Sequence, residues 1–270
     1  MKKITAIIIC LVFCCGFLTS CDEPDAYELY TKMTEAMAGV KSLDMDMTAT
    51  YDITIAHDDA EDTQFNMSMT GNLKQVMKDG KDFDMQMNMN LDVPALTMNY
   101  DTAFYYTGGM SYQDISGNKI KMSLSVDEAM KQADFSILDF PKSAVKDFKI
   151  TNNSDGSKKI EFTLIGEELD SFAEQLTAMT KSMYSDYPAL ELPDTEMSFG
   201  DVICEFVIDK DNMLKSSKTI YDDKNTVIGM EITRKVEMSI TVKSYNNVTI
   251  NFPDDLDSYE DISGLIGSED

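Results

Sequence analysis

Three long runs in this chain alternate apolar and polar residues with a period of two, and this pattern constrains the fold more than any other feature. Leu43, Met45, Met47, Ala49, Tyr51, Ile53 and Ile55 alternate with Asp44, Asp46, Thr48, Thr50, Asp52 and Thr54. Phe65, Met67, Met69 and Leu73 alternate with Asn66, Ser68 and Asn72, and Phe83, Met85, Met87, Met89 and Leu91 with Asp84, Gln86, Asn88 and Asn90. Successive side chains of a strand point to opposite faces, so each run predicts a long strand with one apolar and one wet face. Strands of that kind belong to an antiparallel sheet, because parallel strands buried on both faces lack the alternation.

The elements around these strands follow from other spacings. Asp25 with Glu28 three residues later opens a helix whose apolar positions are Ala26, Leu29, Tyr30, Met33, Ala36, Met37 and Val40. The charged cluster from His57 to Asp62 predicts a hairpin tip. Shorter strands are expected at 97–100, 103–106 and 119–124, with Gly108-Gly109 and Ser116-Gly117-Asn118 as turns. Further helices are expected from Ser125, with Glu128 completing its cap, from Pro141, and along the stripe Leu169, Phe172, Ala173, Leu176, Met179 and Met183. Strands are expected again at 148–152, 159–165, 202–208, 214–221, 226–242 and 248–252. Two of the turns between them are placed near Asp209–Asn212 and Asp222–Asn225. The pattern is an α+β fold in which one large antiparallel sheet curves around a few helices.

The chain starts Met1-Lys2-Lys3, and Ile4 to Leu18 is apolar but shorter than the ~20 residues that span a bilayer. That is the form of a signal peptide. Leu18-Thr19-Ser20-Cys21 closes it and resembles the lipobox of bacterial lipoproteins. The resemblance implies cleavage after residue 20, diacylglyceryl on the Cys21 sulfur, and a two-chain anchor in the membrane. The expected organisation is therefore a lipoprotein signal peptide over 1–20, a short lipidated tether over 21–25, one domain over 26–252 and a loose acidic tail over 253–270. No Pro/Ser/Gly-rich stretch divides the domain. Cys10, Cys14 and Cys15 leave with the signal, so Cys21 and Cys204 remain and no disulfide framework is possible.

Lys+Arg total 23 against Asp+Glu 48, a formal net charge of −25. Such a chain repels nucleic acid, anionic headgroups and the anionic wall polymers of Gram-positive cells. Membrane association is thus expected from the anchor, on the extracytoplasmic face of a Gram-positive type of envelope. Catalytic patterns are missing. The sole histidine, His57, lies in an acidic loop, and no Gly-rich phosphate loop, Cys-x-x-Cys or His-Glu-x-x-His occurs. Asp58, Asp59, Glu61 and Asp62 lack EF-hand spacing. Cys204 shares a strand face with Val202, Phe206 and Ile208, as a buried thiol would. The expectation is a non-enzymatic protein without metal or cofactor.

The segment Tyr30-Thr-Lys-Met-Thr-Glu-Ala-Met37 leading through Val40-Lys-Ser42 into the first strand, the Asp209-Lys-Asp-Asn212 hairpin and Val248-Thr-Ile-Asn-Phe-Pro253 give the chain a family likeness. Together with the lipobox and the strand sequence, they resemble the LolA/LppX-like lipoprotein superfamily. The resemblance implies an unclosed half-barrel whose concave face is covered by helices and receives acyl chains or lipids. The gating arginine of LolA-type carriers has no counterpart near the lid here, since Arg234, on a late strand, is the sole arginine.

Methionine is concentrated on the apolar face: Met45, Met47, Met67, Met69, Met85, Met87 and Met89. Its unbranched, polarizable side chain re-packs around variable shapes, which suits a surface for acyl chains. The same residues would also fill a core beneath helices, and Met-x-Met pairs on neighbouring strands would suit Cu(I), though nothing imidazole-like accompanies them. The expected function is a membrane-anchored lipoprotein that binds a hydrophobic ligand, a lipid or acyl chain, in a Met-lined concave cavity. The alternative is a structural or sensory envelope module with a packed core and a protein partner.

Overall fold

Each alternating run is a strand in the computed structural model, which describes residues 25–57, 61–78, 82–126, 142–169, 196–227 and 230–263. The helix α1 (Ala26–Ala38) comes first, with Asp25 capping it by accepting from the Glu28 amide at 2.7 Å. Glu28 does not complete a capping box but pairs with Lys32 one turn on. Six strands follow: β1 (Ser42–Ile55), β2 (Thr63–Met77), β3 (Phe83–Val93), β4 (Met98–Thr107), β5 (Met110–Ile115) and β6 (Asn118–Ser123). Then come β7 (Val145–Asn152), β8 (Lys158–Leu164), β9 (Glu196–Phe199), β10 (Val202–Ile208), β11 (Leu214–Val227), β12 (Met230–Tyr245) and β13 (Glu260–Asp261).

Among the described residues all thirteen belong to one sheet, ordered β13-β6-β5-β4-β3-β2-β1-β12-β11-β10-β8-β7, with β9 also on β11. Its two ends do not pair, so the curved sheet is an unclosed half-barrel. Neighbours are antiparallel except for β13, which meets β6 in parallel over two residues. A strand paired directly opposite another presents the facing residue on the same side of the sheet. The register therefore runs the apolar residues of β12, β1, β2, β3 and β4 into continuous rows, such as Val242, Met45, Leu73, Met87 and Phe104.

The opposite face is wet and is tied together by amides. Asn72 donates to the carboxylates of Asp44 (2.8 Å) and Asp46 (3.1 Å), Asn66 to Asp52 (2.8 Å), and Asn90 to Asn99 and Asp101 (both 2.9 Å). These links satisfy side chains that alternation forces outward.

Helix α1 lies on the apolar face at the β7-β8-β10 end. Leu29, Tyr30, Met33 and Met37 bury there with Ile160, Phe162, Leu164, Cys204 and Phe206. Tyr30 meets the Phe162 ring edge-on at a 5.6 Å centroid distance, and Phe162 stacks on Phe206 at 5.7 Å. A second cluster holds the other arm, where Phe83 stacks on Tyr106 at 4.6 Å beside Leu73, Met85 and Leu124. The helices expected from Ser125 and along 169–183 lie outside the described residues almost entirely, and the short one expected at Pro141 is a single 3-10 turn, Lys142–Ala144.

Four expectations are corrected. Residues 98–107 form one strand rather than two, since Asp101 and Thr102 continue the ladder with β3. Asp222–Asn225 is not a turn but part of β11, where Asp223 faces Arg234 of β12. Residues 248–252 make no ladder. Finally, the acidic segment after Pro253 is not loose as far as residue 263. Phe252 packs edge-on against Tyr105, and Tyr259, 4% exposed, against Tyr112. Lys119 pairs with Asp255 at 2.5 Å and Lys121 donates to the Asp257 carbonyl. Aromatic anchors and two lysines thus hold an acidic strap across the wet face.

Candidate ligand face and its polar end

The register brings all seven predicted methionines to one face. Met45 lies opposite Leu73, which faces Met87; Met47 faces Gly71, which faces Met89. Met69 stands opposite Ala49, Met67 opposite Tyr51, and Met85 opposite Tyr106. Their burial divides them. Met85 is 8% exposed and belongs to the Phe83/Tyr106 cluster, whereas the other six are half-buried. Gly71 keeps a low point between Met47 and Met89, because a Cβ there would come within 3.0 Å of the Asn88 carbonyl and 3.3 Å of Met89 Cγ. The surface offers flexible thioethers on a backbone floor, a combination that can shape itself to an alkyl chain.

Toward the far end of β1, β11 and β12 this face turns polar. Arg234 Nε donates to Asp223 Oδ1 at 2.7 Å. The Asp223 side chain is 2% exposed and that of Arg234 32%. Burial raises the Asp223 carboxyl above its ordinary value, and the guanidinium beside it pulls the other way. Tyr51 and Tyr221 both lie opposite Val236 in the next row. Burial pushes the Tyr221 phenol up to about 12. Both therefore remain neutral hydrogen-bond donors at physiological pH. By composition alone Asp223 reads as a turn residue. The available signal was symmetry: Asp223 and Arg234 are equally distant from the Ile228-Gly229 pair, as partners across a tight hairpin would be.

A family model described as a family of unknown function, DUF6612, matches residues 25–259. The chain belongs to this family. Among solved structures, the DUF6612 chain is similar to LprF from Mycobacterium bovis, at 14% identity and a TM-score of 0.44, covering 86% of this chain and 98% of that one. It is also similar to the LolA superfamily protein NE2245 from Nitrosomonas europaea, at 10% identity and a TM-score of 0.22, covering 86% and 96%. A DUF1329 family protein from Desulfovibrio piger ATCC 29098 aligns at 12% identity and a TM-score of 0.26, covering 85% and 96%. At these scores the likenesses carry no ligand or partner over to this chain. Comparison with curated proteins finds no match. The architecture expected from the sequence, an open curved antiparallel sheet with a helix on its apolar face, is the one observed.

The wet face of this DUF6612 chain carries a depression of about 840 Å³ that crosses the strands between two polar rows. One row is Asp46, Asn72, Asn88, Ala103 and Asp114; the other is Thr48, Thr70, Asn90 and Asp101. Met47 and Met89 also line it, but their strand positions place their side chains on the opposite face. This depression is distinct from the expected Met-lined cavity.

Other candidate chemistry resolves simply. Cys204 is 1% exposed, and burial pushes its thiol up to about 12, so no thiolate is at hand at neutral pH. His57 is exposed and its ring meets the Thr63 hydroxyl at 3.1 Å. Among the described residues no cluster of His, Cys, Asp and Glu has the form of a metal site. Cys21, Asp58 and Asp59 lie outside the described residues.

Proposed function

We propose that this DUF6612 chain is a membrane-anchored lipoprotein of the bacterial cell envelope that holds the apolar part of a lipid or acyl-chain ligand against its methionine face. One observation carries the reading. Six of the seven methionines stand on the apolar side of the sheet, in register and side by side, yet remain half-buried. A packed core of this size would bury such side chains almost fully, for each contributes roughly 1.5–3 kcal/mol when removed from water. Methionine rather than valine or isoleucine suits a ligand whose shape varies. The anchor at Cys21 would keep the domain, with its short tether, close to the lipid it takes up.

The test is a pair of substitutions within the half-buried set, Met69→Asp and Met89→Asp. Each should abolish uptake of phospholipid or fatty acid while thermal unfolding stays cooperative. Unchanged uptake would move the assignment to an envelope module whose partner is a protein. For the anchor, Cys21→Ser should release the protein from the membrane fraction, and persistent attachment would overturn that part.

A further inference from the structure

Arg234 stands where an unneeded charge would cost most. It lies on the apolar face of β12, between Asp223 on β11 and Ile53 on β1, and the same row continues to Phe199 on one side and Phe65 on the other. Burying an ion pair among such neighbours is often no better for stability than a well-packed apolar pair. The pair is also lopsided. Asp223 is sealed while about a third of the Arg234 side chain is open, and the one hydrogen bond to Asp223 uses Nε. The terminal guanidinium N–H groups have no acceptor among the described residues. Asn225, one row on, keeps a buried Oδ1 without a partner, and Tyr51 and Tyr221 stand one row the other way. Guanidinium and two phenols thus stand close together on a hydrocarbon-like surface, with the Asn225 amide one row beyond.

We propose that Arg234 anchors the headgroup of the ligand, taking the acidic oxyanion of a single-chain amphiphile, a carboxylate or a phosphate monoester, whose tail runs along the methionine rows. This rests on the reading of the methionine face as a ligand surface. Three things support the choice. The chain carries Asp+Glu 48 against Lys+Arg 23, so an acidic amphiphile meets repulsion except where a cation is fixed in low-dielectric surroundings. Arginine presents several coplanar donors matched to carboxylate and phosphate oxygens. From the row of Ile53 to the row of Met47 is six residues of strand, about 20 Å, against roughly 15 Å for the acyl region of one bilayer leaflet. One extended chain fits that run. Asp223 is then a positioning residue, which holds the guanidinium by Nε and turns its open edge toward the ligand.

The test uses the full chain in bacterial membranes, photolabelled with a diazirine-bearing fatty acid, the fatty alcohol of equal length and the alkyl phosphate, with labelling read by mass spectrometry. In the unmodified protein the acid and the phosphate should each label roughly tenfold or more above the alcohol, the scale of a charge-assisted hydrogen bond. Added inorganic phosphate at millimolar concentration should not compete, since the tail supplies the binding. Arg234→Gln should remove the preference for acid while alcohol labelling persists. Asp223→Asn should keep or raise acid labelling, because the amide still accepts from Nε and a negative charge is gone. A merely structural pair predicts instead that both variants weaken every probe alike. If Arg234→Gln fails to accumulate, the double variant Asp223→Asn/Arg234→Gln replaces both charges by amides and should show the same lost preference. Equal labelling by acid and alcohol in the unmodified protein overturns the anchor alone. No labelling by any probe overturns the ligand-binding reading and the anchor with it.

Discussion

At the residue scale, strong electrostatics sits in a turn at Asp155 and, among the described residues, at the buried Asp223–Arg234 pair. Asp155 accepts from the Ser157 amide and hydroxyl and pairs with Lys215, and these hold its carboxyl far below the usual carboxylate range. A group with a depressed folded pKa stabilises the fold above its ordinary value, near 4, and loses that contribution as pH falls through the depressed one. Asp155→Asn should accordingly lower Tm at pH 7, and the gap from the unmodified protein should narrow under acid; thermal melts from pH 7 to pH 2 check this. In the core, Phe162→Ala should cost about 3–5 kcal/mol in urea unfolding, since it leaves a void between Tyr30 and Phe206. Gly166 is tighter still. A Cβ there would meet the Gly200 backbone at 2.6–2.7 Å. Gly166→Ala should therefore part the segment before β10 from that after β8, with faster amide exchange in both.

At the element scale, alternation made the long strands legible and punctuation did not. Leu43–Ile55 and Phe83–Leu91 could be read because every second residue is apolar. The β11–β12 hairpin could not, because Asp222-Asp223-Lys224-Asn225 has the composition of a turn, and only pairing with Arg234 explains a carboxylate on the inner face. The strap after Pro253 is illegible for a related reason. Its acidity suggests solvent, but Lys119, Lys121 and the rings of Tyr105 and Tyr112 supply partners from elsewhere in the chain. Removing residues 252–270 should leave α1 and its cluster intact while β5 and β6 lose protection in hydrogen exchange. Uniform loss across the sheet would show that the strap supports the whole fold.

For the whole molecule, the half-barrel has two faces of different chemistry. One is wet, amide-linked and crossed by the acidic strap; the other is apolar, closed by α1 at one end and lined by half-buried methionine along β1, β2 and β3. The sequence could place the seven methionines on one face, because period-two spacing determines sidedness. It could not show that Met85 is sealed inside a cluster while Met45, Met47 and Met87 pack only at its edge, because burial depends on neighbours remote in sequence, such as Phe83 stacking on Tyr106. Nor could it place Asp223, Asn225 and Tyr221 beside Arg234, which required the hairpin register. The central claim, that the methionine face holds a lipid, is tested most directly by native mass spectrometry with lipid extraction on the chain from Asp22, expressed in a bacterial host. The account predicts a stoichiometric co-purified lipid or fatty acid, lost in Met69→Asp. A clean unliganded mass that persists after incubation with phospholipids and fatty acids would contradict it.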